Sequence, residues 1–409
     1  MNVDLWSSVE LVDYADALRD SLAESGTIIA PRFLVPRRHY RTLQSTLGRA
    51  WLRILTYGAY PVLIAADFAL RRRPEASIVT TNTFFAPWLA ARLAARSRRV
   101  ITLVYDLFPQ VLVAAGKLPN TGVGARVIRA IMRDTFDRST ANVFLGSRLL
   151  EHAVTEFGPI PRTKVIPVGA SSEPFADHPP RPRPAHVQPL VLYCGNLGWM
   201  HDIRTLVNAC LMPADEPGLL PVTVRFHATG PRLHDMQRLL DLSPVGRSRS
   251  FSSDLTISVG APLPHSEWTA AMLAADVGLI TMIPGAEAAV MPSKAYSAMV
   301  AGQAILAVCP LDSDLADLVL SHDCGWVVVP DGGRSAASCR FPNAAVHHGP
   351  LGLREVFRRI ASDRDTLQRK RMNAFQAGHR LFSTHSVARQ WHALLAEITA
   401  SPAAPDPVC

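Results

Sequence analysis

The sequence predicts an α/β protein built from two doubly wound parallel-sheet domains. A chain of 409 residues is too long for one ordinary hydrophobic core, so two domains are expected. In both halves, short β-branched runs alternate with helical patterns, which is typical of βαβ units and parallel sheets. Between the halves, residues 173–189 are rich in proline and lack periodicity, which indicates a linker.

The first domain is predicted to occupy residues 1–172. Its strands are predicted at 76–82, 99–106, 141–146 and 163–169. Its helical patterns lie at 84–96, 108–116, 122–138 and 147–157.

The second domain is predicted to occupy residues 190–382 and repeats the arrangement. Its strands are predicted at 190–195, 222–230, 255–260, 276–282, 304–308 and 325–329. Helices are predicted to begin near His201, Arg232, Ser266, Ser293 and Ser313, and three more to cover 351–362, 364–381 and 386–399. Residues 330–350 are expected to be irregular, and the tail 401–409 to be disordered.

The positive charge of the chain lies in its first half. Residues 1–170 contain 22 Lys and Arg against 13 Asp and Glu, whereas the remainder is nearly balanced. Within 32–99 there are 13 basic residues and two acidic ones, a balance that suits an anionic membrane surface or a phosphorylated ligand. Aromatic residues make up only 7% of the chain and no recognition motif accompanies the charge, which argues against nucleic acid as a partner.

The stretch WLRILTYGAYPVLIAADFAL, residues 51–70, is apolar enough to suggest contact with a membrane. Because Arg53, Pro61 and Asp67 interrupt it, we expect a kinked, partly buried helix that touches a bilayer; an inserted segment is the alternative. The acidic N-terminus, residues 1–20, has no apolar core and is not typical of a signal peptide. The six cysteines lack paired or zinc-type spacing, which indicates buried free thiols in a reducing compartment.

Two glycine loops follow predicted strands in the second half. In the first, Gly195 and Gly198 flank Asn196 and allow a ligand to approach the backbone, while the next helix offers N–H groups to a phosphate. The alternative is a tight turn without a ligand. In the second, Gly230 opens a helix whose first turn carries Arg232, a candidate phosphate contact; the alternative is an ordinary solvated charge.

The stretch VMPSKAYSAM, residues 290–299, puts Pro292, Ser293 and Lys294 at the start of a helix. A cation is mildly disfavoured there, because the helix dipole is positive at that end. The position makes sense if an anion is the third partner, since N–H groups and ammonium then act on it together. The same helix is predicted to bury Tyr296, Met299 and Val300 and to end at Gly302.

Asp106 follows a predicted strand of the first domain, in LVYDLFPQ. A carboxylate at the carboxyl end of a parallel strand is a candidate for catalysis or for positioning an acceptor. The alternative is an N-cap for the helix that begins near Phe108.

The stretches YCGNLGWMHDIRTLVNA, FHATGP, AADVGLITM, MPSKAYSAMVAGQAILAV and DCGWVVVPDG resemble, in order and spacing, the family 4 type of GT-B glycosyltransferases. The likeness is to bacterial members that build cell-surface polysaccharides, spans roughly 75–400 and is strongest across 190–330. It implies two Rossmann-like domains facing a cleft, the second binding a nucleotide sugar and the first an acceptor. It also implies that a C-terminal helix, 383–400, packs back on the first domain.

The resemblance implies a role for several of the candidate residues. Gly198 and Arg204 are expected near the donor phosphates, Arg232 and Lys294 to neutralise them, and Ser293 to add a contact. Such enzymes are usually retaining and use neither a metal nor a cofactor besides the nucleotide-diphosphate sugar, which is a substrate.

The sequence departs from that family at two acidic positions. Many relatives carry two glutamates where this chain has Ala289 and Ser297. Glu287 is a candidate to replace the first acid, and Ser297 to bond weakly to a ribose hydroxyl. We interpret the pattern as an active variant.

Two further departures lie in the first domain. Relatives commonly have His-Asp where this chain has Tyr105 and Asp106, which leaves Asp106 as the candidate. Relatives begin with a strand and a glycine-rich loop, whereas this chain is expected to begin at their first helix, 14–26. We therefore expect either a first loop rebuilt from residues 2–8 or a start further upstream.

The sequence favours glycosyl transfer from a nucleotide sugar to a saccharide or lipid-linked acceptor. The expected location is the cytoplasm, peripheral at the inner membrane face through residues 32–99. Two alternatives stay open: a nucleotide-sugar epimerase of the same architecture, which needs several acid and base residues, and a non-catalytic partner of the same fold.

Overall fold

The computed structural model describes residues 1–400 except 12–17, 20, 21, 23–25, 37–45, 71–73, 96, 97, 185, 213–221, 242–247, 253, 254, 334–339 and 342–344. The chain divides into two compact units. Unit 1 comprises Met1–Val168, Ala288–Val290 and Thr384–Cys409, and unit 2 comprises Gly169–Glu287 and Met291–Ser383.

Unit 1 is built around one parallel sheet. Its strands are β1 (Asn2–Val9), β2 (Ile28–Val35), β3 (Ala76–Thr80), β4 (Arg99–Val104), β5 (Ala141–Phe144) and β6 (Thr163–Val165). Its helices are α1 (Thr46–Ile54), a π-helical segment (Leu55–Ala59), α2 (Tyr60–Leu70), α3 (Phe85–Leu93), α4 (Gln110–Ala114), α5 (Val123–Arg138), α6 (Ser147–Phe157) and α14 (Thr384–Ala400). The strands lie in the order β2-β1-β3-β4-β5-β6, and every pairing among them is parallel.

The first strand corrects the expectation that residues 2–8 form a rebuilt loop. These residues form β1, which pairs with β2 on one side and β3 on the other. The strand was missed because its alternation is disrupted by the buried polar residues Asp4, Ser7 and Ser8. Asp4 is tolerated inside because the Arg98 guanidinium lies 3.5 Å from its carboxylate. The predicted helix at 14–26 falls largely outside the described residues.

The strand β2 was also missed, because Pro31 and Arg32 interrupt an otherwise apolar run. Proline cannot donate a hydrogen bond to a neighbouring strand, so it is confined to edges. β2 is the edge strand of this sheet, where that missing donor costs little.

The apolar stretch 51–70 is helical, as predicted, but a π-helical segment interrupts it between α1 and α2. α2 buries Tyr60, Ile64 and Phe68 against the sheet. Asp67 points the same way, and its carboxylate lies 2.8 Å from the Arg98 guanidinium. No helix within the described residues is long and apolar enough to cross a membrane.

Unit 2 contains the second sheet. Its strands are β7 (Leu190–Asn196), β8 (Val222–Thr229), β9 (Ser248–Ser252), β10 (Leu255–Gly260), β11 (Val277–Thr281), β12 (Ala304–Val308), β13 (Gly325–Val329) and β14 (Val346–His348). Its helices are α7 (Arg204–Leu211), α8 (Pro231–Leu239), α9 (His265–Ala274), α10 (Lys294–Val300), α11 (Asp314–Ser321), α12 (Gly349–Ser362) and α13 (Arg364–Leu381). The strand order is β14-β13-β12-β11-β7-β8-β10-β9, parallel except for β9. All six predicted strands of this half are confirmed; β9 and β14 were not predicted.

The proline-rich segment 173–189 lies against unit 2. Phe175 is fully buried with its ring 5.7 Å from that of Trp268. Further along, the Arg183 guanidinium donates to the Asp276 carboxylate at 2.5 Å. These contacts assign the segment to unit 2, so the unit boundary falls between Val168 and Gly169.

Candidate functional site

The sheet of unit 2 has a topological switch point between β7 and β11. From β7 the chain winds outward through β8 to β10, then returns to the other side of β7 to form β11. Ligands of open parallel sheets bind beyond the carboxyl ends of the strands at such a point. β7 ends at Asn196 and β11 at Thr281, so the residues that follow them form the candidate site.

Lys294, the first residue of α10, reaches into this region. Its Nζ donates to the carbonyl oxygen of Asn196 at 3.2 Å and lies 3.5 Å from His201 Nε2. The same nitrogen is 5.4 Å from the centre of the Tyr193 ring. Burial lowers the pKa of Lys294 to about 8, and the nearby Cys194 thiol partly offsets that decrease. The lysine is thus mostly protonated at pH 7. Its ammonium lies next to the carboxyl end of β7.

Within the described residues, no carboxylate lies close enough to Lys294 to form an ion pair. By contrast Lys370, also in unit 2, donates to the Asp323 carboxylate at 2.6 Å. The positive charge of Lys294 is therefore available to an anion at the carboxyl end of β7.

Two glycines permit this arrangement. Gly195 has a φ of +122°, and a Cβ there would lie 2.9 Å from Lys294 Cε. Gly230 has a φ of +111°, and a Cβ there would collide with the Asn196 side chain and approach the Leu197 carbonyl oxygen to 2.7 Å. Both positions combine a left-handed backbone with close contact, so each requires glycine.

Arg232 lies beside the same loop, in the first turn of α8. Its backbone N–H donates to the Leu197 carbonyl oxygen at 3.1 Å, and its guanidinium lies 5.4 Å from the ring centre of Trp199, which is half exposed. Asp235 is 4.0 Å away, a long ion pair. The buried Arg232 Nε has no hydrogen-bond partner among the described residues, which leaves a donor for a bound anion.

The other predicted donor-site residues have fewer contacts. Arg204 is exposed on the first turn of α7, and Ser293 is exposed at the N-cap of α10 without a side-chain capping bond. Pro292, just before Ser293, and Ser297, within α10, are both partly buried. Gly198 lies in the loop that follows β7. The Glu287 carboxylate is buried and accepts a hydrogen bond from the Gly285 N–H at 2.6 Å, so it is bound to its own turn.

α10 itself is built as predicted. Tyr296, Met299 and Val300 are buried, and Gly302 follows with a φ of +72°. The helix has only seven residues, and the side chain of its first residue, Lys294, reaches the Asn196 carbonyl oxygen.

Asp106 follows β4 in unit 1. Thr81 fixes its backbone: the Thr81 hydroxyl donates to the Asp106 carbonyl oxygen at 2.7 Å and accepts from the Asp106 N–H at 3.1 Å. Burial raises the pKa of the Asp106 carboxyl to about 6. The alternative of an N-cap is wrong, because α4 begins at Gln110 and has no side-chain capping bond.

No group of three or more His, Cys, Asp or Glu side chains in the described residues is arranged to hold a metal ion. The candidate ligand-binding residues named above follow β7, β8 and β4.

The chain is similar in sequence to a probable glycosyltransferase, WbjE of Pseudomonas aeruginosa. The two are 25% identical over 242 residues. The match covers 56% of this chain and 56% of WbjE, so it spans little more than half of that protein's length. No family model matches the chain.

Solved structures resemble the chain over nearly its whole length. HepE of Anabaena, crystallised with UDP and glucose, has a TM-score of 0.61 at 12% identity and covers 97% of this chain and 99% of its own. Sucrose-phosphate synthase of Thermosynechococcus elongatus has a TM-score of 0.62 at 14% identity and covers 98% and 100%. The chain has a GT-B fold. At these identities the likeness concerns the fold alone.

In this GT-B chain, sequence analysis missed two sets of residues beside the predicted ones. His201 and Tyr193 lie beside Lys294, and the Thr281 carbonyl oxygen is hydrogen-bonded to His201. Their only sequence signal was a histidine and a tyrosine close to a glycine loop.

The other missed set lies near Asp106. The pKa of Tyr57, in the π-helical segment, is raised mainly by burial and further by the charge of Asp106, while Arg53 lowers it. The Tyr57 ring lies 6.0 Å from that of Phe85, which in turn lies 5.2 Å from Phe84. Phe84 and Phe85 are partly exposed, so a carboxylate and aromatic faces lie together in unit 1.

Proposed function

We propose that the chain transfers a glycosyl group, with retention, from a nucleotide-diphosphate sugar to a lipid-linked or saccharide acceptor in cell-surface polysaccharide or glycolipid synthesis. The observation that carries the proposal is the ammonium of Lys294. It is partly buried at the switch point of an open parallel sheet and lacks a nearby carboxylate among the described residues. A diphosphate is the anion that such a site suits.

The chemistry follows from the charges. As the bond between the anomeric carbon and the diphosphate breaks, the leaving oxygen takes both electrons and negative charge grows there. Lys294 and Arg232 stabilise that charge more in the transition state than in the bound donor, which lowers the barrier. Because two side-chain cations supply this charge, we propose that transfer needs no metal ion.

Asp106 is the proposed residue for the acceptor. Retention in a single displacement requires the acceptor hydroxyl oxygen to bond to the anomeric carbon on the face that the diphosphate leaves. The hydroxyl loses its proton in that step, and an ionised carboxylate is a suitable group to accept that proton. The partly exposed rings of Phe84 and Phe85 are suited to the apolar face of a sugar. The comparisons support the donor class: HepE was crystallised with UDP-glucose, and WbjE is named a probable glycosyltransferase.

The test is a panel of UDP- and GDP-sugars, incubated with polyprenyl-diphosphate monosaccharides or free monosaccharides. We expect one nucleotide diphosphate to be released in an acceptor-dependent manner, together with a glycosylated product detected by mass spectrometry. Conversion of a nucleotide sugar to its epimer without acceptor contradicts transfer. If the protein binds neither nucleotides nor nucleotide sugars, both catalytic functions, glycosyl transfer and epimerisation, are contradicted.

We also propose that unit 1 binds the cytoplasmic face of an anionic membrane. Leu47, Trp51 and Ile54 lie on one face of α1 at helical spacing and are more than half exposed. Val62 and Leu70 of α2 are exposed as well. These exposed apolar side chains belong to the segment 32–99, which also contains 13 basic residues. Together they suit the headgroup region of an anionic membrane.

The arginines at 71–73, which lie outside the described residues, provide the test. Replacing all three by glutamine should weaken binding to phosphatidylcholine–phosphatidylglycerol vesicles about a hundredfold, since each basic residue near such a surface contributes about 1 kcal/mol. UDP binding should stay unchanged. The matched control replaces Arg358, Arg359 and Arg369 of unit 2 by glutamine and should leave vesicle binding intact. Equal vesicle binding by the two triple variants would refute the proposal.

A further inference from the structure

His201 is held in one tautomer by its neighbours. Its Nδ1 lies 2.8 Å from the carbonyl oxygen of Thr281, and a carbonyl oxygen can only accept. Nδ1 therefore carries the proton and donates it. In a neutral ring the other nitrogen, Nε2, then has a free lone pair.

The ring is neutral. Burial, together with the positive charge of Lys294, lowers the pKa of His201 to about 3, against which the Thr281 bond acts only partly. At physiological pH His201 is therefore not a second cation beside Lys294, and its Nε2 remains a hydrogen-bond acceptor.

The lone pair of Nε2 has two polar neighbours. Tyr193 Oη lies 3.4 Å away, but its single proton is donated to the Asn196 carbonyl oxygen at 2.8 Å. Lys294 Nζ lies 3.5 Å away and has three protons, of which one goes to the same carbonyl oxygen. Lys294 is thus the neighbour that can donate to Nε2.

The two acceptors fix the direction of the ammonium. With one N–H towards Asn196 and one towards His201, the third N–H of Lys294 has a defined direction. The titratable groups that face Lys294 in the described residues are the Cys194 thiol, the Tyr193 phenol and this imidazole. None of them carries a negative charge at pH 7, so only neutral acceptors hold the ammonium.

We propose that His201 is a positioning residue for the donor diphosphate: as an obligatory neutral acceptor, it orients the Lys294 ammonium and keeps it protonated. The inference rests on the proposed function only in its choice of UDP as the ligand. It assigns to His201 no contact with substrate.

Two substitutions separate the ring nitrogens. In His201→Asn, the side-chain amide can still donate to the Thr281 carbonyl but offers no acceptor at the Nε2 position. In His201→Gln, the longer side chain can place its carbonyl oxygen near the Nε2 position and loses the Nδ1 donor. A purely structural histidine would be replaced better by asparagine, whereas an acceptor for Lys294 would be replaced better by glutamine.

The first measurement needs no ligand. The pKa of Lys294 is obtained from the pH dependence of its acetylation by acetic anhydride, followed by mass spectrometry of the peptide. We expect that pKa to fall in His201→Asn, because the ammonium loses an acceptor, and to be retained in His201→Gln. His379→Asn is the control, because His379 Nε2 lies 3.0 Å from the Val300 carbonyl oxygen in the same unit and, among the described contacts, His379 does not touch Lys294.

The second measurement is UDP affinity by calorimetry between pH 7 and pH 9.5. His201→Asn should weaken UDP binding about tenfold, the effect of losing one hydrogen bond to a charged group. Its affinity should also start to fall at a lower pH than in the wild type, and His201→Gln should stay within about threefold of the wild type. Melting temperatures of both variants check that they fold.

The outcomes are distinct. An unchanged Lys294 pKa in folded His201→Asn, or equal effects of Asn and Gln on that pKa, overturns the role of His201. Failure of the wild type to bind UDP contradicts only the choice of nucleotide, because the acetylation measurement still reports on the pair.

Discussion

Replacement of Lys294 by methionine is expected to weaken UDP binding and to lower turnover, each by about ten- to a thousandfold, as for other preorganised charges that stabilise a leaving group. Methionine retains the length and apolar surface of the side chain, so the loss reports the ammonium. Calorimetry with UDP and the rate of nucleotide release from the donor sugar measure the two effects.

The pH dependence gives a second signature of Lys294. An anion prefers the protonated lysine, so between pH 7 and pH 9.5 UDP affinity should be highest near pH 7 and fall as the pH rises through about 8, the pKa of Lys294. Lys294→Met should lack this decrease. Lys370→Met is the matched control, because Lys370 is a buried lysine of the same unit that pairs with Asp323. It should lower the melting temperature and leave UDP affinity unchanged; equal UDP affinity of wild type and Lys294→Met would remove Lys294 from the site.

Replacement of Asp106 by asparagine is expected to lower the rate of transfer about a hundred- to ten-thousandfold, the usual contribution of a positioned acid or base. UDP affinity should not change, because the proposed donor site lies at the ends of β7 and β8. Since burial raises the pKa of Asp106 to about 6, the wild-type rate should rise with pH through that value, as the carboxylate ionises. Asp106→Asn should abolish that acidic limb of the profile.

A control with the same charge change lies on α5. Asp137 is half exposed and pairs with Arg133, and Asp137→Asn should leave both the rate and its pH profile intact. If Asp106→Asn transferred the sugar at a rate within a few-fold of the wild type, Asp106 would be excluded as the base that takes the proton from the acceptor hydroxyl.

The fold was most predictable where strands are buried on both faces by apolar side chains. β11, β12 and β13 are continuous apolar runs, and each was placed to within a residue or two. β1 and β2 were not, because their pairing depends on residues distant in sequence. The buried carboxylate of Asp4 is compensated by Arg32 of β2, 28 residues later, and by Arg98, 94 residues later.

The candidate site was predictable in part for a related reason. Glycines and cations next to strand ends are local signals, which is how Gly195, Gly230, Arg232 and Lys294 were found. The proposed role of His201 depends on a carbonyl 80 residues away. The position of Tyr57 near Asp106 depends on a π-helical segment, which changes which side chains share a helix face. No local pattern encodes either contact.

The return of the chain to unit 1 has a consequence for biosynthesis. α14 buries Trp391, Leu394 and Leu395 in a unit whose other strands and helices end before residue 169. Unit 1 therefore cannot complete its core until the ribosome has also made all of unit 2, which at about 5–20 residues per second delays it by some tens of seconds. Unit 2 can fold from one continuous stretch of nascent chain, which is interrupted only by Ala288–Val290 of unit 1. A nascent chain that stalls before α14 would expose the incomplete core of unit 1 to chaperones and proteases.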